Sequence, residues 1–113
     1  MKQLKIVVRN ERVGDVKRAL DGLNCPGVML WEIEGHGKQK GITEQFRGRQ
    51  FQIDLLPKTR IEIVLNDADV KPVIEAVTRA AQTGEIGDGK IFVSTIEDVV
   101  RIRTGERGSV AVG

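Results

Sequence analysis

The sequence of 113 residues contains no tyrosine, and it has only one cysteine, one histidine and one tryptophan. Cys25 therefore cannot form an intramolecular disulfide, and a zinc site built from several cysteines and histidines is excluded. Long apolar runs are also missing, because Lys2, Lys5 and Arg9 interrupt the N-terminal segment, which argues against a signal peptide or a membrane span. We expect a cytoplasmic protein.

A strong charge of one sign is absent as well, since 18 lysines and arginines stand beside 16 aspartates and glutamates. The net charge of +2 is far from the basic balance typical of nucleic-acid-binding proteins. With three phenylalanines and Trp31 alone, the aromatic pair that binds RNA on a four-stranded sheet is also missing. We therefore expect no nucleic acid among the partners, and one globular domain over residues 1–113.

Alternating and helical patterns of apolar residues predict an α+β protein. Asp67 is the expected N-cap of the second helix, and Gly84 its stop. The order is βαββαβ with an extra C-terminal strand, which is typical of a ferredoxin-like fold whose two helices cover one face of the sheet. Strands are predicted over residues 2–9, 28–36, 58–65, 90–95 and 98–103, and helices over residues 12–23 and from 67 to the stop.

The second face of this predicted sheet has no cover. In a monomer it would leave a large apolar patch exposed to water, which soluble monomers rarely do. We therefore expect a homo-oligomer.

The segment TGEIGDGKIFV, residues 83–93, places three glycines and Lys90 between a helix and a strand. Glycine allows positive φ and close approach of the backbone, so that N–H groups and the Lys90 ammonium can hold phosphate oxygens. The residues are equally compatible with a purely structural interpretation. In that interpretation Gly84 caps the helix, and Gly87, Asp88 and Gly89 form a tight turn.

Two arginines, Arg101 and Arg103, lie in the last predicted strand, where alternation would place them on the same side. Two guanidinium groups on one side suit a polyphosphate, although solvated arginines on an edge strand are the simpler alternative. Their presence together with the glycines and Lys90 favours a nucleotide triphosphate as the ligand.

The polar stretch between the second and third predicted strands, residues 35–57, is unusually long for a connection. Its cations can bind a phosphate ligand near the base or an acidic partner near the tip. The alternative is a flexible hairpin without a function. These cations are Lys38, Lys40, Arg47 and Arg49.

Three segments closely resemble the PII family of nitrogen-regulatory signal-transduction proteins. They are TGEIGDGKIFV, RIRTGE after it, and the T-loop wording GHGKQKGITEQFRGRQFQIDLLPK, and the resemblance extends from the first strand to Glu106. It implies a homotrimer with nucleotide sites between subunits, where ATP and ADP compete. It also implies a T-loop over about 37–55 and a C-terminal tail over about 104–113. The loop wording is similar to that of archaeal members associated with ammonium transporters.

The resemblance also assigns ligand-binding residues. Arg101 and Arg103 would reach the phosphates from the adjacent subunit, and Mg²⁺ would join Gln39 to the phosphates of ATP. The implied nucleotide-binding residues are Gly35, Gly37, Lys38, Gln39, Val64, Gly87, Asp88, Gly89, Lys90, Arg101 and Arg103. The implied residues for 2-oxoglutarate, beside MgATP, are Gln39, Lys40, Gly41 and Lys58.

Departures from the family pattern limit which family properties we expect in this protein. Phe51 stands where many members carry a modifiable tyrosine, and Arg49 stands at a position phosphorylated in cyanobacterial members, so no covalent modification is expected. Met29 replaces a threonine that binds adenine, and a thioether cannot donate a hydrogen bond. Base recognition then depends on main-chain groups and Val64. His36 occupies a position that is usually aromatic.

The function implied is that of a non-catalytic regulator of nitrogen assimilation that senses ATP, ADP and 2-oxoglutarate. Arg47 matches the loop-tip arginine that plugs the pore of ammonium transporters, so a transporter or a nitrogen-assimilating enzyme is the expected partner. One alternative is a divergent PII-like regulator with another effector or partner. Another is a slow ATPase, for which Asp88 and Glu62 are the charged residues near the proposed site.

Overall fold

The computed structural model describes residues 1–25, 29–33, 42–46, 49–53 and 57–113, with side chains over 1–25 and 57–113. Short 3₁₀ turns occur at Asn10–Arg12 and Gly108–Ala111. The strands are β1 (Lys2–Arg9), β2 (Met29–Ile33), β3 (Ile42–Phe46), β4 (Arg49–Ile53), β5 (Lys58–Leu65) and β6 (Gly89–Thr95). The helices are α1 (Val13–Gly22) and α2 (Asp67–Ala81).

The main sheet has four strands in the order β2-β5-β1-β6, and every neighbouring pair is antiparallel. This order confirms the α+β class and is consistent with the predicted ferredoxin-like arrangement, in which β1 lies between two strands that follow it in sequence. A separate antiparallel pair joins β3 to β4, with Ile42 opposite Ile53 and Phe46 opposite Arg49. Both strands of this pair lie within the predicted T-loop.

The core lies between the main sheet and the two helices. Alternate residues of β1 and β5 point to the helices and are almost fully buried, as the period of two in the sequence predicts. The buried apolar side chains are Leu4, Ile6, Val8, Val16, Leu20, Ile61, Ile63, Leu65, Val73, Val77 and Ala81.

The other face of the sheet is more polar than the sequence analysis expected. Register places three rows of side chains across β5, β1 and β6 on this face, and only one member of each row is apolar. The expectation of a large apolar patch is therefore wrong for the described side chains. The homo-oligomer stays a prediction, and the composition of this face does not support it. The rows are Arg60-Val7-Lys90, Glu62-Lys5-Phe92 and Val64-Gln3-Ser94.

The ends of α2 differ from the prediction. The N-cap is Asn66, whose backbone is extended, and Asp67 is the first helical residue. A carboxylate in the first turn suits the helix dipole, and that of Asp67 also accepts a hydrogen bond of 2.8 Å from the N-terminal ammonium group of Met1. At the other end the helix stops at Ala81, before Gly84 is reached.

The predicted C-terminal strand over residues 98–103 does not form. The segment makes one isolated bridge, between Val100 and Arg107, because the chain turns back on itself at this point. The Arg101 amide donates to the Glu106 carbonyl at 2.8 Å, and the Gly105 amide donates to the Arg101 carbonyl at 2.7 Å. These local bonds occupy the backbone groups that a strand would offer to the sheet.

In the part of the chain that the structure describes, no helix combines the length and the apolar character needed to cross a bilayer.

Candidate functional site

Residues 83–90, here called the glycine loop, connect α2 to β6 and are closed by the carboxylate of Asp88. Its Oδ2 accepts hydrogen bonds from the amides of Thr83, at 2.8 Å, and Gly84, at 2.9 Å. Its Oδ1 accepts a hydrogen bond from the Thr83 hydroxyl, whose oxygen in turn accepts one from the Glu85 amide at 3.1 Å. Such side-chain bonds to nearby backbone stabilise a turn without regular secondary structure.

Arg9, the last residue of β1, attaches the glycine loop to the sheet. Its side chain is only 9% exposed, and Nε donates to Asp88 Oδ1 at 3.2 Å. Nη2 donates to the carbonyl oxygen of Ile86 at 2.7 Å. Sequence analysis missed this arginine because it considered the loop alone. No local pattern in the sequence links Arg9 to a loop that begins at Thr83.

These contacts keep Asp88 ionised. Hydrogen bonds from the hydroxyl and the amide of Thr83, and then from the Gly84 amide and Arg9, hold the pKa of the Asp88 carboxyl well below its usual range. Asp88 was predicted to line the phosphates. The structure gives its carboxylate internal bonds on both oxygens, so within this chain it shapes the loop.

The glycines of the loop have the backbone conformations that the sequence predicted. Gly87 and Gly89 have φ of 98° and 106°, in the left-handed region. At Gly89 there is no room for a side chain, because a Cβ atom would lie 1.7 Å from the carbonyl oxygen of Val7. The tight-turn interpretation is therefore confirmed at these positions, and it coexists with the phosphate-binding hypothesis.

The loop presents hydrogen-bond donors to solvent. Lys90 is exposed at the start of β6, and within the described residues the amides of Ile86 and Gly87 have no hydrogen-bond acceptor. A groove of about 390 Å³ lies between α2 and the start of β6, and is lined by Thr78, Gln82 and the residues from Asp88 to Lys90 among others. A cation and amides without an acceptor on the same loop can bind an anion.

Sheet register brings a second cation to the same end of the sheet. Lys58 pairs with Arg9, and Lys90 pairs with Val7, so both lysines flank the end of β1 on the face away from the helices. The family resemblance assigned these two lysines to different ligands, 2-oxoglutarate for Lys58 and nucleotide for Lys90. Their shared position is compatible with two anionic ligands that lie side by side.

Val64 lies far from this cluster. It is six residues beyond Lys58 on β5, a separation of about 20 Å at the rise of an extended strand. It shares the open face but pairs with Gln3, near the other end of β1. Within one chain, Val64 and the glycine loop therefore do not meet.

Arg101 and Arg103 are at that other end as well. The seven residues of β6 separate them from the loop by about 20 Å, and the tail contacts Asn66, whose Nδ2 donates to the Ser109 carbonyl at 3.4 Å. Since no strand forms over 98–103, the alternation that placed both guanidinium groups on one side does not apply.

The Arg101 guanidinium is bound within its own chain. It donates to Glu106 Oε1 at 2.7 Å, to the Val110 carbonyl at 3.1 Å and to the Gly113 carbonyl at 2.6 Å. Arg103 lies exposed in the adjacent turn. A phosphate ligand of Arg101 would have to replace some of these acceptors.

Several predicted site residues lie outside the described residues. They are Gly35, His36, Gly37, Lys38, Gln39, Lys40, Gly41 and Arg47. The backbones of Met29, Arg49 and Phe51 belong to β2 and β4, without a description of their side chains.

Known proteins are similar to this chain along nearly its whole length. The family model described as nitrogen regulatory protein P-II matches residues 1–106. The nitrogen regulatory protein P-II 2 of Methanothermobacter thermautotrophicus is 54% identical over 112 residues, which cover 99% of this chain and 97% of that protein. The nitrogen regulatory proteins P-II of Mesorhizobium japonicum and Rhodospirillum rubrum are 51% and 48% identical, each over 99% of this chain and 100% of the relative. The chain thus belongs to the nitrogen regulatory protein P-II family.

Proposed function

We propose that this nitrogen regulatory protein binds ATP or ADP at the glycine loop and reports their ratio, together with 2-oxoglutarate, to a target protein. The observation that carries the proposal is a set of donors at the loop, namely the exposed Lys90 and the amides of Ile86 and Gly87, which have no acceptor among the described residues. Asp88 and Arg9 fix these donors from inside the protein. Preorganised amides beside a cation are the usual means of holding phosphate oxygens.

The complete nucleotide site would lie between two copies of the chain. Lys90 is at one end of the sheet, and Val64, Arg101 and Arg103 are at the other, so one chain alone cannot bring all of them to a single nucleotide. A homotrimer in which the tail end of one subunit meets the glycine loop of the next would solve this problem. The separation supports such an assembly, although the open sheet face is not apolar.

Magnesium and 2-oxoglutarate complete the proposed ligand set. Among the described residues, no group of three His, Cys, Asp or Glu side chains is placed to hold a metal. The ion would then be held by the phosphates of ATP and by Gln39, and it would offset the repulsion between the triphosphate and the dianionic keto acid. Lys58, at the same sheet end as Lys90, would bind a carboxylate of 2-oxoglutarate, together with Gln39, Lys40 and Gly41.

The output of the protein would be the conformation of its T-loop. An ammonium transporter that receives Arg47 in its pore is the leading target, and a nitrogen-assimilating enzyme is the second. With Phe51 in place of a tyrosine, ligands alone would set the loop conformation. They can do so only if they bind its two states with different affinities.

Catalysis has less support than binding. A general base must have a free lone pair and a suitable pKa, whereas Asp88 has bonds on both oxygens and a lowered pKa. Glu62 accepts a hydrogen bond from Gln3 at 3.2 Å and lies 3.7 Å from Arg60. We therefore place the protein among non-catalytic regulators.

Titration calorimetry tests the proposal. ADP and MgATP should bind to the wild type, and 2-oxoglutarate should tighten binding of MgATP but not of ADP. Lys90→Gln should weaken both nucleotides by about tenfold or more. Lys71→Gln, on the exposed side of α2, is the matched control and should bind like the wild type. Absence of nucleotide binding at millimolar concentration would overturn the proposal. If 2-oxoglutarate does not change the affinity for MgATP, a divergent regulator with another effector is favoured.

A further inference from the structure

The side chain of Arg9 donates to two groups that lie on either side of Gly87. Nη2 bonds the carbonyl oxygen of Ile86 at 2.7 Å, and Nε bonds Oδ1 of Asp88 at 3.2 Å. We propose that Arg9 is a positioning residue, which directs the amide of Gly87 outward so that it can donate to a phosphate. This inference rests on the proposed nucleotide binding and adds to it the residue that orients the donor.

The geometry of the peptide unit gives the reason. The peptide bond between Ile86 and Gly87 is trans, and in a trans peptide the C=O and N–H groups point in opposite directions. Because the Ile86 carbonyl points inward to the guanidinium of Arg9, the Gly87 N–H must point away from it. That direction is consistent with the absence of any acceptor for this amide in the described part of the chain.

Little else holds this peptide in place. Gly87 has φ of 98° and no side chain, so it is compatible with either orientation of the preceding peptide. Ile86 is 91% exposed, so its side chain cannot anchor the unit by packing. If the peptide turned over, its carbonyl oxygen would face the ligand and repel a phosphate.

Arg9 itself is not placed to bind the ligand. Its side chain is 9% exposed, and both of its observed bonds are to the loop. Asp88 balances its charge, which a buried guanidinium requires. The pair therefore supplies a neutral, rigid support for the loop, and the attraction for phosphate comes from Lys90 and the amides.

The test compares Arg9→Gln with Arg12→Gln. Arg12 lies three residues away in a 3₁₀ turn and pairs with Asp15 at 3.4 Å, outside the loop. Arg9→Gln should weaken ADP binding by about tenfold, the loss expected for a hydrogen bond to a charged group. It should also change the two-bond coupling between the Gly87 amide nitrogen and Ile86 Cα in the ligand-free protein, which reports the ψ angle of Ile86 and therefore the orientation of this peptide. Arg12→Gln should change neither quantity.

A second variant separates the orientation of the Gly87 amide from the positive charge of the site. Lys90→Gln removes the exposed cation and leaves the Arg9 bonds to Ile86 and Asp88 in place, so the Gly87 coupling in the ligand-free protein should stay like that of the wild type. In wild-type protein, the Gly87 amide signal should move downfield when ADP is added, as expected for a new hydrogen bond to phosphate. This last measurement does not depend on whether Arg9→Gln folds.

The outcomes distinguish the two proposals. If wild-type protein binds no ADP, the proposed function fails, and the coupling of the free protein still shows whether Arg9 orients Gly87. If ADP binds but the Gly87 signal does not move, the inference fails alone. It also fails if folded Arg9→Gln keeps both the wild-type coupling and an ADP affinity within about twofold of the wild type.

Discussion

Gly89 and Val7 approach each other so closely that a Cβ atom on Gly89 would lie 1.7 Å from the Val7 carbonyl oxygen and 2.8 Å from its carbonyl carbon. This contact is at the point where β6 begins to pair with β1, one residue before Lys90. It explains a glycine at this position without reference to a ligand, and it places the proposed phosphate-binding lysine on a rigid strand.

Gly89→Ala should therefore be strongly destabilising. The backbone of β1 or β6 would have to move, and φ of 106° is unfavourable for alanine, so we expect a loss of roughly 3 kcal/mol or more in the free energy of unfolding. Chemical denaturation at a fixed protein concentration measures this loss.

Two glycines serve as controls for this substitution. Gly84→Ala meets no atom within 4 Å but has φ of 88°, so it should lose about 1 to 2 kcal/mol. Gly22→Ala, in α1, has neither constraint and should be neutral or slightly stabilising. Equal stability of the Gly89 and Gly22 variants would contradict the close contact.

The stability of the protein should depend on Asp88 in acid. Its pKa is lowered in the folded state, so the unfolded state takes up the proton first as the pH falls. The contribution of Asp88 is then complete above the unfolded value of about 4 and is lost as the pH falls toward the folded value. As the pH falls from about 5 to about 2, the denaturant concentration at the midpoint of unfolding should decrease less steeply for Asp88→Asn than for the wild type.

Other carboxylates contribute in the same pH range, so the comparison must be made between variants. Thr83 and Arg9 bind Asp88, whereas Arg107 lowers the pKa of Asp98 by hydrogen bonding in the C-terminal segment. Glu75→Gln, on the exposed side of α2, controls for the loss of one negative charge. Parallel acid profiles of wild type and Asp88→Asn would show that the loop does not contribute.

The C-terminal residues should compete with nucleotide for Arg101. Its guanidinium donates to the carbonyls of Val110 and Gly113, and these bonds must break if it is to bind phosphate. A chain that ends at Arg107 should therefore bind ADP about threefold more tightly or better, as measured by calorimetry. Ser109→Ala keeps the backbone carbonyls and should behave like the wild type. Weaker binding by the shortened chain would show that the tail supports the site.

Cys25 should react slowly with alkylating agents. Partial burial, followed by the nearby charges of Asp69 and Asp21, raises the pKa of its thiol, so less thiolate is present at pH 8 than for a free cysteine. The rate of iodoacetamide labelling, followed by mass spectrometry, should rise in Asp69→Asn. A wild-type rate equal to that of free cysteine would contradict the effect of burial.

The regular elements followed from the sequence because their signals are local. Ile61, Ile63 and Leu65 alternate with polar residues, and this period of two was enough to predict β5 and its buried face. The C-terminal strand was predicted wrongly for the same reason. The residues after Asp98 have strand-like composition, but Arg107 and Glu106 pair with Asp98 and Arg101 and close a local turn that no periodicity reveals.

The glycine loop shows most clearly which features followed from the sequence and which depended on the tertiary structure. By itself the sequence determined that a positive-φ, glycine-rich turn with a lysine follows α2, since glycine adopts such backbone conformations without steric cost. Only the tertiary structure decided that Gly89 must pass beneath the carbonyl of Val7, and that Arg9 holds the loop. It also decided that Lys90 and Arg101 lie at opposite ends of the sheet. These facts depend on strand register and on contacts between residues nearly 80 positions apart, which a local pattern of residues does not contain.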